Sequence, residues 1–303
     1  MKKIIGHLGD YIRYVDKPLF ALSACFTAMA IFINYYHGLN KWLSVMDEGR
    51  QYLGWWLVFL AAFSFSYVAG SIMLKKDYFR RKNFILLLII APAIFAWKMA
   101  SNLQFEFSNH VLENSYWNQV VYWPAKLLVM VIVLLLVWKI FDADQPFYGM
   151  KLKGFDASPY LLMLLIMLPL VMLASTQPDF QAMYPKLKNV LDLSEKHEQT
   201  VFKILYELSY GSDFIGIELF FRGFLVMAFV KFAGRDAILP MAMFYCTIHF
   251  GKPLGECISS FFGGILLGVV TFHTRTIYGG LMVHLGIAWM MELFGAFPAS
   301  TWF

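Results

Sequence analysis

What most limits the fold of this chain is the recurrence of apolar runs about 20 residues long, separated by short stretches that hold most of the charge. A helix of about 20 apolar residues, within a workable range of roughly 17–25, crosses the hydrocarbon layer of a membrane. Residues 18–36, 54–74, 84–100, 124–140 and 158–175 fit that length. Residues 212–232, 237–250, 257–273 and 277–294 read as further spans, the second of them short enough to be a buried helix that does not fully cross. The sequence therefore predicts an all-α, polytopic transmembrane helix bundle of about eight to nine spans. Composition agrees. Hydrophobic residues make up 59% of the 303 and charged residues 15%, against a usual share of about 45–50% and about 25%. A water-soluble fold of that make-up would expose large apolar patches.

The net charge of +5 does not point to nucleic acid, because the basic residues flank apolar runs. Lys2, Lys3, Arg13 and Lys17 precede the first run, and Lys75, Lys76, Arg80, Arg81 and Lys82 follow the second, whereas residues 101–123 hold no Lys or Arg. The positive-inside bias puts the N-terminus in the cytoplasm and residues 101–123 outside. Lys151, Lys153, Lys231, Arg235 and Arg275 then fall inside. Lys252, the pair Lys41 and Arg50 beside Asp47 and Glu48, and the mixed-charge loop 176–210 stand against this pattern, and the loop suits an amphipathic interfacial helix. Residues 1–17 carry Asp10, Arg13 and Asp16 and no cleavage pattern, so the first span is expected to act as its own uncleaved insertion signal. Trp55, Trp56, Trp117, Trp123 and Trp302 sit near span ends, as an interfacial aromatic belt predicts. Cys25, Cys246 and Cys257 form no CxxC pair and read as small core residues.

Ionisable side chains inside spans are costly and therefore informative. Lys98, Lys126 and Lys139 lie near span ends, where a long side chain can snorkel. The later spans carry more: Asp213, Glu218, Arg222, His249, Glu256, His273, His284 and Glu292. Glu218 and Arg222 are four apart, which places them on one helix face; taken alone they read as a buried ion pair. His273 beside Arg275 reads as interfacial. One acid, one arginine and two histidines on three connected segments suit hydrolysis of an amide. A glutamate beside a histidine can hold a water and remove its proton, and a second histidine can donate to the oxyanion. Two histidines and a glutamate can also bind zinc, but there is no H-E-x-x-H and the ligands would come from three helices, so a metal-free water and no cofactor are expected. A solute transporter fits less well, because no paired halves are seen.

At these residues the sequence resembles the CPBP family, the membrane proteins that include CAAX prenyl proteases and bacteriocin-processing homologues. The family's E-E-x-x-x-R motif, commonly continued E-E-L-F-F-R-G-F, stands here as I-E-L-F-F-R-G-F over residues 217–224. Its F-x-x-x-H motif stands as Tyr245 to His249, and its H-x-x-x-N motif as His284 to Ala288. The resemblance covers roughly residues 154–293 and implies a membrane domain at 154–303, after an N-terminal transmembrane segment at 1–153 of unknown role with about four spans. It implies that Glu218 takes the second-glutamate position, Arg222 the orienting arginine, His249 the water-binding histidine and His284 the oxyanion-site histidine. Two polar groups depart from the pattern: the first glutamate is Ile217 and the asparagine is Ala288. Asp213, one turn before Ile217, and Glu292, one turn after Ala288, are possible substitutes, as is Glu256, although each reads most simply as a solvated interfacial carboxylate. The expectation is a divergent intramembrane endopeptidase acting on a membrane-associated protein or peptide. The alternative is an inactive relative that serves as a binding or scaffolding subunit. The lipid bilayer is an expected partner in either case, and nucleic acid is not.

Overall fold

The structure, a computed structural model, describes residues 2–152, 154–188 and 199–297. In chain order the helices are α1 (Lys2–Tyr14), α2 (Lys17–His37), α3 (Leu39–Ser44), α4 (Glu48–Met73), α5 (Lys82–Ala100), α6 (Val111–Phe141), α7 (Ser158–Ala174), α8 (Pro178–Met183) and α9 (Gln199–Glu218). A π-helix (Leu219–Val226) follows, then α10 (Met227–Ala233), α11 (Ile238–Thr247), α12 (Leu254–Thr274) and α13 (Tyr278–Gly295). The described residues contain no strand, as expected. The chain is an all-α membrane protein. α2, α4, α5, α6 and α12 are long and apolar enough to cross a bilayer, and α7 is apolar but shorter.

The chain forms two compact units. The first comprises Met1–Ser101, Val133–Lys153 and Leu219–Ile277, the second Asn102–Ile132, Gly154–Glu218 and Tyr278–Phe303. In the first, α2 starts where the Asp16 carboxylate accepts the Leu19 N–H at 2.8 Å, with Pro18 in its first turn. It stops at Gly38, whose φ of 70° lies in the left-handed region. α11 is wholly buried, so the short segment expected at 237–250 holds an interior helix over Ile238–Thr247. Phe59 and Phe63 of α4 and Phe95 of α5 pack on Phe244 of α11. Phe95 also packs on Phe220 and Phe221 of the π-helix. The N-terminal helices thus build the wall behind two of the three motifs. α1, not expected from hydropathy, covers α11 and α12 through Tyr11, Ile238 and Val269.

In the second unit α13 packs against α7, α8 and α9. Val171, Phe180, Tyr184 and Phe294 form one core. Tyr116, Tyr206, Tyr210, Phe214 and Ala288 form another, with Ile217, Trp117 and Trp123 against it.

Several expectations are corrected. The span expected at 124–140 is the end of α6, which starts at Val111 because Glu113, Asn114, Asn118 and Gln119 are helix-compatible but polar. The helix expected from residue 212 begins at Gln199. Lys98 and Lys126 do not snorkel: both are buried, Lys98 beside the Phe95 ring and Lys126 on Tyr122, bonded to its hydroxyl. Only Lys139 reaches the exterior. Trp55 is core, stacked on Phe59, and does not belong to an interfacial belt. Cys25 faces outward, whereas Cys246 and Cys257 are buried. His273, at the end of α12, stacks its ring on His7 of α1 with centroids 4.0 Å apart. Trp302, Lys153 and residues 189–198 of the mixed-charge loop lie outside the described residues.

Candidate functional site

The I-E-L-F-F-R-G-F string spans the end of α9 and the π-helix. Glu218 closes α9 and Arg222 lies inside the π-helix. Each finds a partner of its own. The Glu218 carboxylate, fully buried, accepts from His284 Nδ1 of α13 at 3.0 Å. Arg222, also fully buried, places its guanidinium 4.0 Å from the centre of the Tyr245 ring on α11. Such a stack offsets part of the cost of burying the charge.

Tyr245 also holds His249. The two rings meet edge-on at 4.7 Å, and His249 Nδ1 lies 2.9 Å from the Tyr245 carbonyl oxygen. A carbonyl can only accept, so Nδ1 carries the proton and, in the neutral ring, Nε2 holds the lone pair. The same logic at His284, whose Nδ1 faces a carboxylate, leaves the Nε2 lone pair on its other side. To donate to an oxyanion, His284 would have to be imidazolium, balanced by Glu218. As a base it would act through Nε2, oriented by Glu218 as a triad carboxylate orients its histidine. The structure thus brings Glu218 together with His284 in the second unit, and Arg222 with His249 in the first.

Sequence reasoning missed Tyr245 as the residue touching both Arg222 and His249. Its signal is the four-residue spacing to His249 on one helix. Reasoning also missed what holds the His249 turn. Asn34 of α2 donates to the Phe250 carbonyl at 2.7 Å and accepts from Asn40 N–H at 2.9 Å, while the Tyr35 hydroxyl donates to the Lys252 carbonyl at 2.6 Å.

The three possible substitutes separate. Glu256 forms a loose pair at 3.5 Å with Lys252 of the loop before α12, and its side chain is largely covered. Glu292 is not solvated: it is buried and accepts the Lys186 N–H at 2.9 and 2.8 Å and the Leu187 N–H at 3.3 Å, so it ties the chain after α8 to α13. Asp213 is half-buried, with one carboxylate oxygen out of reach of solvent, so it too is not a solvated interfacial group.

The two departures share one place. Ala288 is a member of the Tyr116–Tyr206–Tyr210–Phe214 cluster, and Ile217 packs against it. Phe214 of that cluster in turn meets the His284 ring at 4.7 Å. Where the motif pattern has a carboxylate and an amide, this chain has hydrocarbon in contact with aromatic rings. No group of three or more His, Cys, Asp or Glu with metal-holding geometry occurs among the described residues.

Glu207, in the polar first half of α9, has a raised pKa. Burial, and secondly the charge of Glu292, push it up to about 7, and one of its oxygens has no hydrogen-bond partner among the described residues. A carboxyl whose folded pKa exceeds its unfolded one holds its proton more tightly in the native state, so its contribution is full below the unfolded pKa and is lost as pH rises through about 7. The unfolding midpoint should therefore fall between pH 5 and pH 8, and Glu207→Gln should flatten that slope (midpoints of both proteins across a buffer series, with about pH 5 and 8 as ends). Equal slopes in the two proteins would remove Glu207 as the cause.

Residues 211–290 match the family model described as Type II CAAX prenyl endopeptidase Rce1-like. No curated protein and no solved structure gives a significant match. The matched stretch contains Glu218, Arg222, His249 and His284 as well as both departures, and it is consistent with the resemblance of the motif string to the CPBP family.

Proposed function

We propose that this chain is a multi-pass membrane protein with a cytoplasmic N-terminus that keeps the CPBP fold to bind a membrane-associated protein or peptide, without hydrolysing it and without a cofactor. The observation that carries this reading is that Ile217 and Ala288 fall in one aromatic cluster. Loss of a single polar group would leave a weakened site. Replacement of both by apolar groups packed in the same cluster removes the place where a water would be polarised. Losing a general base alone costs on the order of 10²–10⁴ in rate.

The second reading, a divergent endopeptidase, is favoured by the Glu218–His284 pair at 3.0 Å. A buried carboxylate holding an imidazole is equipment for activating a water. The two readings part on chemistry. In cells carrying Glu218→Gln or His249→Ala in place of the native chain, the binding reading expects the phenotype of the intact protein, together with an unchanged set of protein termini by mass spectrometry of membranes. A peptide bond cut by the native chain and uncut, or cut at least about 100-fold less, in both variants would establish the endopeptidase and overturn the binding reading.

A further inference from the structure

Cys246 and Cys257 were expected only to fill space, yet they face each other. Cys246 is on α11, one residue after Tyr245, and Cys257 is in the first turns of α12. Their sulfurs are 3.9 Å apart, each thiol also points toward the other residue's carbonyl oxygen, at 3.3 and 3.7 Å, and both residues are fully buried. Closing a bond from that separation requires each sulfur to move by about 1 Å, which a small side-chain rotation supplies.

Neither cysteine is exposed, and the nearest opening is a groove beside Cys257. This groove, of about 660 Å³ between α2 and α12, is lined by Tyr35 of α2 and by Leu254, Ile258 and Phe261, which flank Cys257 along α12. The Tyr35 hydroxyl neighbours Cys257 at the end of that groove. A large disulfide donor does not fit such an approach, but a peroxide, little bigger than water, does.

We infer that Cys246 and Cys257 form a peroxide-oxidisable dithiol that closes to a disulfide and locks the Tyr245–His249 turn of α11 onto α12. The Cys257 thiolate attacks one peroxide oxygen and the O–O bond breaks, giving a sulfenic acid and, after protonation, water. The Cys246 sulfur then attacks the sulfenic sulfur, the S–O bond breaks, and the hydroxyl leaves as water with the Cys246 proton. The two thiols together lose two electrons, which the peroxide takes up. The lock acts on the stretch that presents Tyr245 to Arg222 and His249, and it does not depend on whether the site hydrolyses anything.

The test uses the full chain in detergent, treated with hydrogen peroxide while native, then unfolded and alkylated. Of the three cysteines, only Cys25 should take the alkylating group, the protein should be lighter by two hydrogens before labelling, and prior reduction should restore labelling at all three. Cys246→Ser should abolish the loss of two hydrogens while leaving the unoxidised protein folded. The oxidised native chain should melt a few degrees higher than the reduced one. Full labelling of Cys246 and Cys257 after native oxidation, oxygen adducts in place of the missing hydrogens, or the same bond formed only in unfolded protein would each overturn the inference.

Discussion

Gly223→Ala should lower the unfolding midpoint of the detergent-solubilised chain by roughly 5–10 °C, the loss expected from forcing a methyl into packed backbone. Gly223 lies inside the π-helix, where an added Cβ would sit 2.7 Å from the Tyr148 carbonyl oxygen and 3.1 Å from the Tyr148 Cβ. These atoms cannot step aside. The Tyr148 hydroxyl is bonded to Asp142 at 2.7 Å, Asp142 is bonded to Gln145 and paired with Lys231 at 2.5 Å, and Gly149 beside it accepts from the Ile277 N–H at 3.2 Å. The glycine that ends the R-G portion of the motif is thus explained by a close approach of backbone within the first unit. Gly263→Ala in α12 is the control, since a Cβ there meets nothing within 4 Å, and it should leave the midpoint in place. If Gly223→Ala melts with the native chain, the Tyr148 turn is softer than its hydrogen bonds imply.

Ile217→Glu has the next largest expected effect, a loss of about 2–4 kcal/mol, because it sets a carboxyl against aromatic rings that offer it little solvation. Ala288→Asn should lose less by itself and should recover part of the glutamate's cost when combined with it, since the amide and carboxyl are the groups that the family motifs place at these two positions. The double variant is expected to remain without hydrolytic activity if the cluster keeps water out. Thermal midpoints of the two single variants and the double, read as a cycle, give the coupling between the positions. A glutamate at 217 that costs nothing would mean the position is hydrated, and the argument for a non-hydrolysing chain would lose its basis.

Hydropathy made the long apolar helices legible, because twenty apolar residues have few other uses, and the motif string made the likeness to the CPBP family legible. The start of α6 was not, since its polar residues carry no hydropathy signal. Nor was the π-helix: Leu219 to Val226 reads as an ordinary stretch of α-helix. Burial of Lys126 was hidden for a similar reason. A lysine near the end of an apolar run reads as snorkelling unless the partner on it, here Tyr122 one turn earlier, is considered together with it. The substitutions at Ile217 and Ala288 were visible as letters. Only packing showed that α9 and α13 bring both to one cluster, a fact no spacing within a single helix can carry.

Asn34 and Tyr35, more than 200 positions upstream in the chain, grip the backbone that follows His249. The stretch carrying all three motifs is therefore not self-sufficient. A shortened protein starting near residue 154 would keep every motif letter yet leave His249 on a turn without these two bonds, and a graft of residues 211–290 into another scaffold would have to bring α2 along. The opening third of the chain, silent in motif terms, works as the splint for the part that speaks.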